Sequence, residues 1–211
     1  MSVFEIIAAV FTFLAIVCAV KEKIWTFPLG MVGTGMYFFV FLSQRAYSSM
    51  SLQLIFFALN MYGLYKWTHP EKDATKPDNT LAITLLSVNR RILTVVSIVV
   101  LTFTLGYVTS NLHLWFPSIV QDETFSNISL EYRSTCVYID AYIFSASLVA
   151  QFLMALKKLE NWVIWIAVDT LSAPFYIITI GIPTGILYSA FIVTGITGLI
   201  AWNKSRKKLK I

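Results

Sequence analysis

The chain has 211 residues, of which 57% are hydrophobic and 13% are charged, and its mean hydropathy is +0.73. A soluble domain carries about 25% charged residues, so this composition excludes a soluble globular protein and indicates an integral membrane protein. The net charge of +5 does not indicate nucleic-acid binding, because the basic residues lie in the loops between apolar stretches.

Seven apolar stretches are long enough to cross a hydrocarbon core about 30 Å thick as helices. They are too continuous for the alternating strands of a membrane β-barrel. The sequence therefore predicts an all-α membrane protein with seven transmembrane helices. The predicted spans lie near residues 3–20, 27–44, 50–67, 92–110, 137–156, 163–180 and 185–202.

The distribution of basic residues predicts the orientation of these spans. With the N-terminus outside, 14 of the 16 Lys and Arg residues fall in cytoplasmic segments, and only Arg45 and Arg133 fall outside. The positive-inside rule therefore predicts an outer N-terminus and a cytoplasmic C-terminus, which carries a basic tail at 204–211. An even number of spans would disturb this distribution.

Two parts of the sequence look like copies of one three-helix unit. In the first, Trp25 is followed by a Gly-x-x-x-Trp motif that ends at Trp67, and in the second, Trp162 is followed at nearly the same distance by a motif that ends at Trp202. One span lies between the units, so both begin on the same side of the membrane and are parallel repeats, in a 3+1+3 arrangement. The predicted division is a first unit at 1–67, a connection at 68–136 and a second unit at 137–203.

The connection at 68–136 contains a cytoplasmic loop, a linker helix and an outer loop. The cytoplasmic loop at 68–91 is rich in charged residues, and we expect it to be polar and mobile. The linker is the fourth predicted span, which has no Asp, Glu, Lys, Arg or His residue between Ile92 and Ser110. The outer loop at 111–136 is expected to form a short interfacial helix or a partial lid.

Polar side chains inside the predicted spans point to a substrate site, because hydrocarbon offers them no partner. Asp169 lies about 10 Å past Trp162 along its helix, where a cationic ligand, a water-filled vestibule or hydrogen bonds would each stabilise the carboxylate. Trp side chains also form interfacial belts, and amides also hold helices together. The candidate substrate-binding residues are Trp25, Tyr37, Gln53, Asn60, Gln151, Trp165, Asp169, Tyr176 and Tyr188.

The sequence contains no pattern typical of an enzyme or of a cofactor site. Its two histidines, His69 and His113, fall in loops predicted on opposite faces of the membrane, and Cys18 and Cys136 are similarly separated. The chain therefore lacks metal-ligand spacing and a nucleophilic constellation. We expect neither catalysis nor a bound metal or cofactor.

Several motifs resemble the Pnu family of bacterial vitamin transporters. They are Trp25-x-x-Pro28-x-Gly30, Leu52-Gln53 followed by Asn60-x-Tyr62-Gly63-x-x-x-Trp67, and Glu160-Asn161-Trp162-x-x-Trp165. The resemblance covers both three-helix units. It implies a SWEET-like fold in the inner membrane and uptake of a B-type vitamin by facilitated diffusion. It also implies trapping by a cytoplasmic vitamin kinase, and we expect a homo-oligomer such as a trimer.

Two branches of the family compete for the substrate, the thiamine type (PnuT) and the nicotinamide riboside type (PnuC). Both ligands are aromatic cations, which suit an aromatic cage through cation–π contact. The nicotinamide riboside pattern often has Asn at the position of Asp169, and a carboxylate complements both the aminopyrimidine and the thiazolium of thiamine. The sequence thus favours thiamine, with nicotinamide riboside as the alternative and a SWEET-like sugar transporter as a more distant one.

Overall fold

A computed structural model of the chain describes residues 3–43, 47–70, 81–115, 130–179 and 182–208. These segments form seven α-helices and no β-strand. The helices are α1 (Val3–Val20), α2 (Thr26–Ser43), α3 (Tyr47–Thr68), α4 (Val88–Trp115), α5 (Leu130–Ala155), α6 (Glu160–Thr179) and α7 (Ile182–Lys208). Five of them, α1, α2, α4, α5 and α7, are long and apolar enough to span a membrane. The all-helical prediction is therefore confirmed.

Three helices extend well beyond their predicted spans. α4 ends at Trp115 and α5 begins at Leu130, so both enter the predicted outer loop at 111–136, whose middle lies outside the described residues. α7 continues to Lys208, into the predicted basic tail. Hydropathy locates the part of a helix that crosses the bilayer, whereas the helix itself continues until its hydrogen bonding is interrupted.

The chain divides into two compact units. One contains Met1–Leu86 and Ala150–Ile211, and the other contains Ser87–Val149. In the first unit α1 packs on α2, α2 on α3, α6 on α7 and α1 on α7. In the second unit, Tyr138 of α5 packs against α4, where its ring lies over Gly106 and 5.9 Å from the ring of Phe103, centroid to centroid.

Helices α1 and α5 end in the same backbone motif. Glu22 and Lys157 have positive φ angles of 55° and 54°. In the described segments, they are the non-glycine residues with a positive φ. The N–H groups of Glu22 and Lys23 donate to carbonyls of α1 at 3.0 and 2.8 Å, and those of Lys157 and Lys158 donate to carbonyls of α5 at 2.9 and 2.9 Å. Each pair of bonds is a Schellman cap.

A glycine of each Gly-x-x-x-Trp motif packs against an aromatic ring at the start of the neighbouring helix. In α3, a Cβ atom on Gly63 would collide with the ring of Phe27, which lies edge-on to Trp67 at 5.0 Å between centroids. In α7, a Cβ atom on Gly198 would lie 2.6 Å from the ring of Trp162. Trp162 lies edge-on to Trp202 at 5.5 Å. Each glycine thus lets an aromatic ring rest directly on a helix backbone.

These contacts favour a register for the predicted repeat that differs from the one read from the Trp residues. Corresponding positions keep one constant offset along the sequence, with 22 matching 157, 27 matching 162, 63 matching 198 and 67 matching 202. At this offset the ring that corresponds to Trp162 is Phe27, whereas Trp25, which the sequence comparison had paired with Trp162, is 64% exposed. The sequence comparison paired Trp25 with Trp162 because both are Trp. The packing instead pairs Phe27 with Trp162, which are aromatic rings of different types.

Part of the connecting loop is packed, contrary to the expectation for 68–91. Thr84 exchanges two backbone hydrogen bonds with the turn between α5 and α6, at 3.2 and 3.0 Å. Ile83 and Leu86 are buried, and Ile83 belongs to the apolar cluster that contains Trp162 and Trp202. The charged composition of the loop as a whole concealed this short apolar segment.

We predict that Gly63→Ala and Gly198→Ala each lower the free energy of unfolding by about 1–3 kcal/mol, because the added methyl group overpacks the aromatic ring. Gly35→Ala is the matched control, since no atom lies within 4 Å of the methyl group added there. Chemical unfolding of the purified protein in detergent measures the difference. Equal stability of the three variants would contradict this packing.

Candidate substrate site

Two buried amides from distant parts of the chain meet between α3 and α5. The Nε2 atom of Gln151 donates a hydrogen bond of 3.1 Å to Oδ1 of Asn60, and both side chains are buried. The Nδ2 atom of Asn60 donates to the backbone carbonyl of Phe56 at 2.9 Å. Because a polar pair inside an apolar bundle needs such partners, these bonds fix the orientation of the Asn60 amide.

The α2 helix approaches this amide at a glycine. A Cβ atom on Gly30 would lie 2.7 Å from Oδ1 of Asn60. Gly30 therefore provides the space that the Asn60 side chain occupies. One residue beyond Gln151, the ring of Phe152 stacks on Tyr62 at 5.9 Å between centroids. This stacking is a second contact between α3 and α5.

One face of α6 carries several polar groups that lack a partner within the chain. Trp162, Trp165, Asp169 and Ser172 recur at spacings of three, four and three residues, which places them on one helical face. The two indole Nε1 atoms and the Ser172 hydroxyl are buried without a hydrogen-bond partner in the described segments. Asp169 is 5% exposed, and among the described residues its carboxylate has no hydrogen bond or ion pair.

The amide pair and the α6 face lie at a similar depth from one end of the first unit. Trp67 and Trp162 meet in the apolar cluster at that end, with Trp202 between them at 6.1 and 5.5 Å. Asn60 precedes Trp67 by seven residues and Asp169 follows Trp162 by seven, so each lies about 10 Å farther along its helix. α3 leads away from the cluster toward Asn60, and α6 leads away from it toward Asp169.

The remaining predicted residues are dispersed. Tyr37 and Tyr188 are half-buried and contact aromatic neighbours on their own helices, Phe41 and Phe191. Gln53 is half-buried on α3, Trp25 is at the surface, and the side chain of Tyr176 lies outside the described residues. A substrate-binding role for all nine residues remains a prediction.

Two residues of this region were not predicted as site residues. Phe152 lies next to Gln151 in the sequence, and Ser172 lies one turn beyond Asp169. The helical spacing from Trp165 to Asp169 to Ser172 was the signal by which Ser172 could have been found. Phe152 has no such signal, because an apolar aromatic residue in a membrane span is most often in contact with lipid or with the core.

Comparison with protein families identifies the class of transporter. A model of the family described as Nicotinamide mononucleotide transporter matches residues 2–204. The chain belongs to that family. The prediction of a vitamin transporter of the Pnu type, rather than an enzyme, is therefore confirmed.

Curated relatives and a solved structure agree with this assignment. The chain is 27% identical over 178 residues to the nicotinamide riboside transporter PnuC of Escherichia coli (strain K12), covering 81% of this chain and 73% of that protein. It is 24% identical over 210 residues to PnuC of Neisseria mucosa, covering 96% and 72%. The crystal structure of the vitamin B3 transporter PnuC has the same fold, with a TM-score of 0.68 at 23% identity over 97% of this chain and 82% of that one.

We predict that Asn60 and Gln151 are energetically coupled. In a double-mutant cycle with Asn60→Ala and Gln151→Ala, the coupling should be about 0.6 kcal/mol, the average for hydrogen bonds between membrane helices, and at most about 1.7 kcal/mol. Unfolding of the purified protein in detergent measures it. A cycle that pairs Gln151→Ala with Thr12→Ala on α1 is the control and should show no coupling. If the changes in the free energy of unfolding caused by Asn60→Ala and Gln151→Ala simply add in the double variant, the hydrogen bond between them would be contradicted.

Proposed function

We propose that this protein carries nicotinamide riboside across the bacterial inner membrane by facilitated diffusion, with trapping by cytoplasmic phosphorylation. The structural observation that supports a cationic aromatic substrate is the buried Asp169 carboxylate on the same helical face as Trp165. A carboxylate without a cationic partner inside a membrane protein suits a cationic ligand. The pyridinium ring of nicotinamide riboside provides both the positive charge and the flat surface.

Nicotinamide riboside replaces thiamine as the favoured substrate. The curated relatives described above are all nicotinamide riboside transporters, and no comparison supports thiamine. The argument from Asp169 applies equally to either vitamin, because each carries a positively charged aromatic ring. The carboxylate therefore gives no reason to depart from the substrate of the relatives.

We assign roles to the site residues from their chemistry. Trp165 stacks against the pyridinium ring, and Asp169 neutralises its charge. Asn60 and Gln151 exchange their mutual hydrogen bond for bonds to the carboxamide or to the ribose hydroxyls, since each amide both donates and accepts. Tyr37, Gln53, Tyr176 and Tyr188 remain proposed lining residues, and Trp25 remains a candidate at the entrance.

We also propose that the fold is a SWEET-like 3+1+3 arrangement of parallel repeats, with α1–α3 and α5–α7 as the two copies. Support comes from the constant sequence offset that relates the two caps, the two packed glycines and the two Trp residues that end the motifs. The caps and both Gly-x-x-x-Trp motifs lie at one end of the first unit, so corresponding helices run in the same direction. That end is proposed to be cytoplasmic, and the transporter a homo-oligomer, such as a trimer.

The test is calorimetric titration of the detergent-purified protein with nicotinamide riboside, reduced nicotinamide riboside and thiamine. We expect nicotinamide riboside to bind more tightly than thiamine. In Asp169→Asn its dissociation constant should rise about tenfold, equivalent to about 1.4 kcal/mol. Reduced nicotinamide riboside has an uncharged ring, so its affinity should be the same in the variant and the wild type.

Asp140→Asn is the matched control, because Asp140 is an exposed carboxylate on α5. Its affinity for nicotinamide riboside should equal that of the wild type. Tight binding of thiamine with no signal for nicotinamide riboside would overturn the substrate assignment. An equal loss of affinity for the charged and the uncharged ring in Asp169→Asn would remove the electrostatic role of Asp169 and leave the substrate assignment in place.

A further inference from the structure

The two Schellman caps are joined by a buried ion pair. Nζ of Lys157 lies 2.9 Å from Oε2 of Glu22, and the two side chains are 8% and 27% exposed. The same ammonium group lies 4.7 Å from the centre of the Trp67 ring, within cation–π distance. Lys157 therefore connects the end of α5 to the end of α1 and to the end of α3.

The positions of these residues in the repeat locate them on its symmetry axis. Glu22 and Lys157 correspond to each other under the constant offset between the repeats, and so do Trp67 and Trp202. Two equivalent positions related by a two-fold rotation come into contact only beside the rotation axis. The ion pair and the Trp67–Trp202 contact, at 6.1 Å between ring centres, are two such cases.

This axis is also the path that a substrate would take. In a transporter built from parallel repeats, the axis runs along the membrane normal and the substrate site lies between the repeats. Asn60 and Asp169 lie about 10 Å from the Trp cluster along their helices. The ion pair and the two Trp rings thus stand between that depth and one end of the bundle.

Further contacts close the same end. Nε1 of Trp202 donates a hydrogen bond of 2.9 Å to the backbone carbonyl of Ala19 in α1. Trp202 and Ala19 have no exposed surface, and Ile83 from the connecting segment packs against the same cluster. Trp202 and Ala19 are therefore closely packed at this end of the first unit.

We propose that the Glu22–Lys157 ion pair and the Trp67–Trp202 contact form a gate, closed in this structure, that opens to release substrate at this end. The inference rests on the proposed function. An ion pair suits such a gate because burying two charges costs almost as much free energy as their attraction returns. The ion pair therefore fixes the geometry of the closed state but adds little to its stability. Both charges become hydrated when the caps separate.

Lys157→Met tests the gate most cleanly. It removes the buried ammonium group and leaves Glu22, which is partly exposed and can be hydrated. Lys23→Met is the matched control, because Lys23 is an exposed lysine in the other cap. The double variant Glu22→Lys with Lys157→Glu restores an ion pair of reversed polarity.

Two measurements separate gating from binding. Exchange of labelled nicotinamide riboside in liposomes should be about tenfold faster in Lys157→Met than in Lys23→Met. The dissociation constants of the two variants should agree. The charge-reversed double variant restores the ion pair but not the cation–π contact with Trp67, so its rate should fall back toward the wild-type rate. Provided that the wild type exchanges nicotinamide riboside, equal exchange rates in Lys157→Met and Lys23→Met, or a matching change in affinity, would overturn the gate.

Hydrogen–deuterium exchange without substrate makes the gate testable even if the proposed function fails. Lys157→Met should raise deuterium uptake at both caps, and the charge-reversed variant should restore protection. If the wild type does not bind nicotinamide riboside but both caps respond in this way, the proposed function falls and the gate stands. Unchanged uptake at the caps in Lys157→Met would overturn the gate, whatever the substrate.

Discussion

The packing of an aromatic ring on a glycine is the interaction on which the helix contacts of the first unit depend. Gly63 and Gly198 let the rings of Phe27 and Trp162 rest on the backbones of α3 and α7. These contacts bring Trp67 and Trp202 close enough to meet. In a membrane the hydrophobic effect does little to hold helices together, so close packing at small residues is the main source of specific association. The caps, the ion pair and the packed connecting segment surround this centre.

The fold could be predicted from the sequence to the extent that the bilayer dictates it. The thickness of the hydrocarbon core sets the length of the apolar stretches, so the seven helices were found at their correct places. The ends of α4, α5 and α7 were not, because helices continue in water beyond the bilayer. The segment at 81–87 was missed for a related reason, since its few apolar residues follow a strongly charged stretch.

Comparing the two halves of the sequence did not determine which positions of the proposed repeat are equivalent. Trp25 and Trp162 are identical residues at almost equal distances from the motifs that follow them, but the ring that contacts Trp67 as Trp162 contacts Trp202 is Phe27. Packing selects a flat ring at a particular depth and does not select one residue type. The hydrogen bonds of the two caps support the register proposed above, because they depend on backbone geometry and not on side-chain identity.

The candidate site was only partly predictable. Asn60, Gln151 and Asp169 stand out as polar residues in apolar spans, but the contact between Asn60 and Gln151 joins positions far apart in the sequence and needs the tertiary structure. Ser172 was not predicted as a site residue because a serine in a membrane helix usually bonds to the carbonyl four residues earlier. The substrate could not be chosen from Asp169, since thiamine and nicotinamide riboside present the same kind of charge to a carboxylate.

Counterflow of labelled nicotinamide riboside in liposomes that contain only the purified protein tests the central claim most directly. With unlabelled nicotinamide riboside inside, we expect transient uptake of the label, and with empty liposomes we expect equilibration without accumulation, because nothing in the vesicle traps the substrate. Uptake that thiamine drives and nicotinamide riboside does not would contradict the substrate. Absence of counterflow by a folded protein would contradict transport itself.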